Sequence, residues 1–160
     1  MCLILKILKN TLHLQQKIAT RPIRVLKIGF YNSKLDCFVS SVFQKYYQKD
    51  KQYSLQFPKP HANDIDNTAY QEIYIQVGFH SYKWLPEYYL GKMAAYGWIS
   101  KGNDNIFPET IAIFEIPKGA IYYSDGENHY VSDSIIFRKA IFNIKEWRAE
   151  NFYLQTEKIL

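Results

Sequence analysis

The sequence predicts an α+β fold, a mainly antiparallel sheet with two or three packed helices. Three observations lead there. Several short segments alternate apolar and polar side chains, the period-two pattern of a half-buried strand. Turn-forming proline, glycine, asparagine and aspartate separate those segments at short intervals. No strand–helix–strand unit with a glycine-rich first loop occurs, so a doubly wound parallel sheet is not expected.

The first nineteen residues read two ways. Leu5, Leu8, Leu12 and Ala19 lie near helical spacing, whereas Leu3, Leu5 and Ile7 alternate like a strand. They form either a packed first element or an N-terminal appendage lying on a membrane surface, with the packed element favoured. Pro22 closes the segment, because the residue before a proline is held extended. Ile23 to Phe30 reads as a strand, and Gly29 within it points to a bulge or a close approach of another backbone. Cys37 to Tyr47 is helix or strand: Phe38, Val42 and Tyr46 make a helical stripe, but the β-branched content opposes it. Tyr53 to Phe57 alternates as a short strand, and a loop is expected from Pro58 through Asn63-Asp64.

Tyr70 to His80 is the clearest strand, with Ile73, Ile75 and Val77 on one face, followed by a turn at Gly78-Phe79-His80-Ser81. Leu85 to Trp98 reads as a helix, with Pro86 and Glu87 suited to its first turn. Thr110 to Ile116 is nearly continuously apolar, as a strand central in its sheet would be. A turn over Ile116-Pro117-Lys118-Gly119 leads to a strand over Ala120 to Tyr123. An exposed turn follows at Ser124 to Asn128, then a further strand within Tyr130 to Phe142. Asn143 to Leu154 can form a closing helix, and residues 155–160 are expected to fray.

At 160 residues the chain is expected to form one domain over 1–160. Its formal net charge of +5 is too small to mark a nucleic-acid binder, and no recognised nucleic-acid module orders its basic clusters. No specific nucleic-acid partner is expected. Cys2 and Cys37 make no paired spacing, so reduced thiols and a cytoplasmic location are expected. Lys6 and Lys9 interrupt the apolar N-terminal run, which argues against a secretory leader, and no apolar segment is long enough to span a bilayer.

No metal-ligand spacing, phosphate loop or Gly-x-Ser-x-Gly elbow occurs, so no catalytic residue, metal or cofactor is assigned. The candidate ligand-binding residues are Arg24, Lys27, His80, Ser81 and Asp133. Arg24 or Lys27 could pair with an anion, though their odd separation puts them on opposite faces of one strand. His80 titrates near neutrality and could act as acid or base, and Ser81 could orient a ligand. The plainer reading makes His80 exposed and Ser81 the start of a loop. Tyr122, Tyr123, His129 and Tyr130 form a candidate interaction surface, or simply decorate a hairpin.

The segments Ile116 to Tyr123, Tyr130-Val131-Ser132-Asp133 and Gly78-Phe79-His80-Ser81 resemble uncharacterised small proteins of Bacteroides-type bacteria and their phages, over roughly residues 70–137. That resemblance implies no activity. A fainter one is to the ADP-ribosyltransferase-like fold. It implies a basic residue on an early strand, met by Arg24 or Lys27, and a serine on a later strand, met by Ser81. The family's glutamate has no counterpart. Asp133 is the nearest acidic residue, so the resemblance implies NAD or nucleotide binding more readily than turnover. The expectation is a non-enzymatic intracellular accessory or interaction protein with a protein partner. The alternative is a diverged ADP-ribosyltransferase-like binder of NAD or a nucleotide.

Overall fold

A computed structural model describes residues 2–40, 45–65, 68–85, 106–142 and 144–150. It is an α+β structure dominated by antiparallel strands. A three-stranded sheet has the order β1 (Leu3–Leu8), β8 (Tyr70–Ile75), β7 (His61–Asp64). The larger sheet runs β2 (Lys17–Ile18), β11 (Ile121–Ser124), β12 (His129–Ser132), β9 (Phe79–Tyr82), β3 (Ile23–Asn32), β10 (Ile106–Ile116), β13 (Ser134–Ile141), β6 (Gln52–Ser54). The strands β4 (Cys37–Ser40) and β5 (Tyr46–Gln48) pair with each other, and β4 also pairs with the far end of β3. Among the described residues the helices are two short ones, α1 (Leu12–Gln15) and α2 (Ile144–Ala149). No described helix is long and apolar enough to cross a membrane.

Thr110 to Ile116 is central, as its apolar run requires: β10 lies between β3 and β13, and Ile111, Ala112, Phe114 and Ile116 are buried. The β4–β5 hairpin folds over this sheet. Its end meets β13 through a parallel bridge from Lys49 to Phe137 and a 2.8 Å bond from the Asp50 N–H to the Phe137 carbonyl. Strands β3, β10, β13, β5 and β4 therefore close into a small barrel. Phe38, Phe114 and Phe137 fill it, their rings 5.2–5.8 Å apart in edge and tilted contacts. The opposite face of the sheet buries Leu26, Ile111, Ile113 and Ile141 against Trp147 of α2. A third cluster joins Leu3, Leu5, Ile7, Ile73 and Ile75 of the small sheet to Tyr123 and Val131.

Several expectations change. Residues 3–18 are not an appendage: β1 pairs with β8 along Leu3↔Ile75 to Leu8↔Tyr70, and β2 pairs with β11. Both readings of the segment are partly realised, as strand and then one helical turn. Of the segment Cys37 to Tyr47, Cys37–Ser40 is strand β4 and Tyr46 and Tyr47 open strand β5, paired with each other rather than helical, and residues 41–44 lie outside the described residues. The loop expected at Asn63-Asp64 is strand β7, recruited by pairing with β8 despite poor intrinsic propensity. Tyr70 to His80 is two strands, broken before Gly78, whose φ of +148° turns the chain from the small sheet into the large one. The turn after β10 lies one residue later than expected. The Ala120 N–H donates to the Pro117 carbonyl at 3.1 Å, which places Gly119, φ +89°, at the position needing a positive φ. The helix expected over Leu85 to Trp98 falls almost wholly outside the described residues, as do residues 155–160.

Candidate functional site

Strand β9 carries Phe79 and Ser81 on its inner face and His80 and Tyr82 on its outer face, because side chains alternate. The predicted turn at Phe79-His80-Ser81 is thus a strand, inserted between β12 and β3. That insertion brings together four of the sequence's candidate residues, Lys27, His80, Ser81 and His129, two on each side of the sheet.

On the outer face, His80 Nδ1 and His129 Nε2 are 2.9 Å apart, and His80 Nε2 is 2.7 Å from the Gln76 carbonyl. A carbonyl only accepts, so His80 Nε2 carries the proton and its Nδ1 is bare in the neutral ring. His129 Nε2 must then donate to it. The Tyr82 ring stacks on His129 with centroids 5.2 Å apart. Burial lowers the His80 pKa, and the nearby Lys27 charge adds to that, against the opposing pull of the Gln76 carbonyl. Burial, reinforced by His80 and Lys27, holds His129 down at about 4, although Asp125 opposes the shift.

Both imidazoles are therefore neutral at pH 7. The sign of the consequence follows. Between about 4 and 6.5 the unfolded chain binds the His129 proton and the folded chain does not, so stability falls as pH drops through that window. One pKa unit corresponds to about 1.4 kcal/mol, and partial solvent screening reduces the total to about 1–2 kcal/mol. Urea unfolding of wild type and His129→Gln at pH 7 and pH 4.5 checks this. The variant should lose less stability on acidification, and equal losses would refute the role given to the pair.

On the inner face, Ser81 lies opposite Tyr130 of β12. The pairing Leu26↔Tyr82, continued by one residue, sets Lys27 opposite Ser81, and Lys27 is opposite Ala112 on its other side. One row across the sheet thus reads Tyr130, Ser81, Lys27, Ala112. Ser81 is fully buried, and its hydroxyl has no hydrogen-bond partner. The half-buried Lys27 sends its ammonium to the His80 carbonyl, 5.9 Å from the ring centroids of both Tyr47 and Phe114. Burial lowers its pKa to about 8. The residue keeps part of its surface open, while protein surrounds its charged end.

Arg24 and Asp133 do not join this row. Arg24, on the opposite face of β3 from Lys27, donates to the Glu150 carboxylate at 2.6 Å and to the Glu150 carbonyl at 3.1 Å. Asp133 occupies the corner between β12 and β13. Its Oδ1 accepts the Ile121 N–H at 3.0 Å, and its main chain bonds to Ile121 and Leu55. Its side chain borders a shallow groove of about 440 Å³ together with Gln16, Gln56 and Phe57.

The four residues of the candidate interaction surface divide between two faces. Tyr122 and Tyr130 turn inward, their rings 5.8 Å apart against the barrel core. Tyr123 and His129 turn the other way, and Tyr123 is buried against Phe57 at 5.5 Å. Sequence reasoning missed the contact between His80 and His129 and the role of Tyr47 beside Lys27. Reading Phe79 to Tyr82 as a strand would have put Ser81 and Phe79 on one face, but no local pattern announces which strands neighbour β9. Cys2 and Cys37 are both free, in line with the expected thiols. Among the described residues no group of three or more histidine, cysteine, aspartate or glutamate side chains could hold a metal ion. Comparison with protein-family models, with curated proteins and with solved structures finds no match to this chain.

Proposed function

We propose that this chain is a non-enzymatic intracellular interaction protein that receives a protein partner on the outer face of its three-stranded sheet. The observation that carries this reading is the exposed side of β1. Leu3, Leu5 and Ile7 point into the core, while Ile4 and Leu8 point out and are 52% and 51% exposed. Leu8 pairs across with Tyr70, itself 42% exposed, and Ile4 pairs with Tyr74. Between them Lys6 lies opposite Glu72, and its ammonium sits 5.1 Å from the Tyr70 ring. Aliphatic and tyrosine side chains around one lysine and one glutamate suit a protein interface.

The two edges of this sheet differ. Among the described residues β1 is a six-residue edge strand with an apolar outer face, whereas β7 at the other edge is short, polar and preceded by Pro58 and Pro60. Proline and polarity protect an edge from pairing, and on β1 only Lys6 supplies such protection. The commitment of Arg24 to Glu150 and of Asp133 to the Ile121 N–H also favours this reading over the NAD- or nucleotide-binding alternative.

A photo-reactive amino acid placed at position 8 should give a discrete protein adduct in cells, absent when it is placed at the exposed Lys118 in the β10–β11 turn. Ile4→Glu in the position-8 variant should abolish the adduct without changing the melting temperature. Identical adducts from positions 8 and 118, or none from either, would sink the proposal. Saturable heat on titration with NAD would favour the alternative.

A further inference from the structure

The hydrogen-bond parity of β1 decides which of its main-chain groups lie at the open edge. The Lys9 N–H donates to the Ala69 carbonyl at 2.9 Å, which continues the register Leu8↔Tyr70 by one hydrogen-bonded pair. In an antiparallel pair such positions alternate. Leu3, Leu5 and Ile7 therefore direct their N–H and C=O groups to β8, and Ile4, Lys6 and Leu8 direct theirs away from it. The Leu8 carbonyl bears this out, since it accepts the Thr11 N–H at 3.2 Å and the Thr11 hydroxyl at 2.6 Å on the side away from β8. The N–H and C=O groups of Ile4 and Lys6 have no partner among the described residues. Of the edge strands described, β1 is the longest, six residues against two in β2, three in β6 and four in β7.

An open edge of this kind is a template for another strand. The sequence of β1, Leu-Ile-Leu-Lys-Ile-Leu, suits a second copy of itself. An antiparallel pair about a two-fold axis at Leu5 sets Ile4 opposite Lys6 and Leu3 opposite Ile7. Each Ile4 then exchanges both main-chain hydrogen bonds with Lys6 of the other copy, and all the unpaired groups of both residues are satisfied. On the inner side only leucine and isoleucine meet. On the outer side Ile4 meets the aliphatic stem of Lys6. Moving the axis to Lys6 would keep the hydrogen bonds but set two ammoniums directly opposite, which destabilises a strand pair. The single lysine thus permits self-pairing and selects its register.

We infer that the chain forms a symmetric dimer in which β1 pairs antiparallel with β1 of a second copy about Leu5. The two three-stranded sheets become one, in the order β7, β8, β1, β1, β8, β7, and both of its ends are the short polar strand that proline precedes. The contact closes on itself, as an isologous one does, so it stops at two copies. It uses the main-chain edge of β1 and goes beyond the side-chain docking face proposed above, which the pairing leaves open and doubles.

Sedimentation equilibrium of the purified full chain across the micromolar range should show a monomer–dimer equilibrium. Lys6→Pro removes an N–H that points away from β8, a change an edge strand tolerates. It should keep the wild-type melting temperature and weaken the dimer by about tenfold or more, the scale of the symmetry-related pair of hydrogen bonds lost. The register has its own readout. In a Cys2→Ser background, Leu5→Cys lies opposite itself and should give a disulfide-linked dimer on mild oxidation, whereas Ile7→Cys lies opposite Leu3 and should not. This pair decides the matter should Lys6→Pro fail to fold. A wild type that stays monomeric would overturn the inference. So would undiminished dimerisation of folded Lys6→Pro, or cross-linking of Ile7→Cys as readily as Leu5→Cys. A monomeric result leaves the docking face standing, because the purified chain offers that face no other protein. In cells, an adduct from position 8 with twice the mass of the chain reports the dimer, and any other mass reports a foreign partner.

Discussion

Lys27→Met is expected to stabilise the protein at pH 7 by about 2 kcal/mol and to flatten its stability between pH 8 and 10. Burial of the amine depresses its pKa from 10.5 to about 8. Each pKa unit is worth about 1.4 kcal/mol, and loss of the hydrogen bond to the His80 carbonyl takes back about 1 kcal/mol. The direction with pH follows from proton counting. Below about 8 both folded and unfolded chains hold the Lys27 proton, and the full penalty applies. Between 8 and 10.5 the unfolded chain still binds it and the folded chain releases it, so wild type gains stability as pH rises. Burial raises the Tyr47 and Tyr130 pKa values, so ionisation of the unfolded chain's tyrosines opposes this gain near the top of the window. Urea titrations of wild type and Lys27→Met at pH 7, 8, 9 and 10 therefore compare differences, in which the tyrosine contribution cancels. A variant less stable than wild type at pH 7, with an unchanged pH slope, would show that the amine is not desolvated.

Gly29→Ala is expected to destabilise the fold by about 3 kcal/mol, at the upper end for an overpacked site. A β-carbon at position 29 would lie 2.3 Å from the Val39 carbonyl oxygen and 2.7 Å from Cζ of Phe38. The ring could turn. The carbonyl is main chain of β4, hydrogen-bonded in register with β3, and cannot move without opening the Gly29↔Ser40 and Phe30↔Val39 pairing. That pairing seats Phe38 in the barrel, so strain at Gly29 is transmitted to the Phe38–Phe114 contact. Guanidinium denaturation should show a lower midpoint with an unchanged slope. A variant within 1 kcal/mol of wild type would mean that β4 can shift away from β3 at little cost.

The close approach at Gly29 was legible from one residue, because a glycine inside an otherwise strong strand pattern has few other uses. The acidic turn at Ser124 to Asn128 was equally local. Asp125 Oδ1 accepts the N–H groups of Glu127, Asn128 and His129 at 2.9–3.0 Å, as a short acidic side chain in a turn is suited to do. Arg24 and Lys27 were separable by parity alone, and they do occupy opposite faces. The roles of Arg24 and Asp133 were not legible. Arg24 is satisfied by Glu150, 126 positions away, and Asp133 by the main chain of Ile121 across a hairpin.

Strand character over 23–30, the centrality of Thr110 to Ile116 and the α+β class follow from side-chain periodicity and turn chemistry, which act over a few residues and so are written in order along the chain. Which strands become neighbours is not written that way. The choice of β12 and β3 as the partners of β9 depends on how three apolar clusters bury their surfaces together, and the free energy of that burial belongs to the whole chain rather than to any window of it. Only that choice converts Lys27, His80, Ser81, His129 and Tyr130 from scattered polar residues into a buried ammonium beside an unpaired hydroxyl on one face and a neutral histidine pair on the other. The same tertiary burial sets their proton affinities, because it removes the water that would otherwise solvate the Lys27 ammonium and the His129 imidazolium.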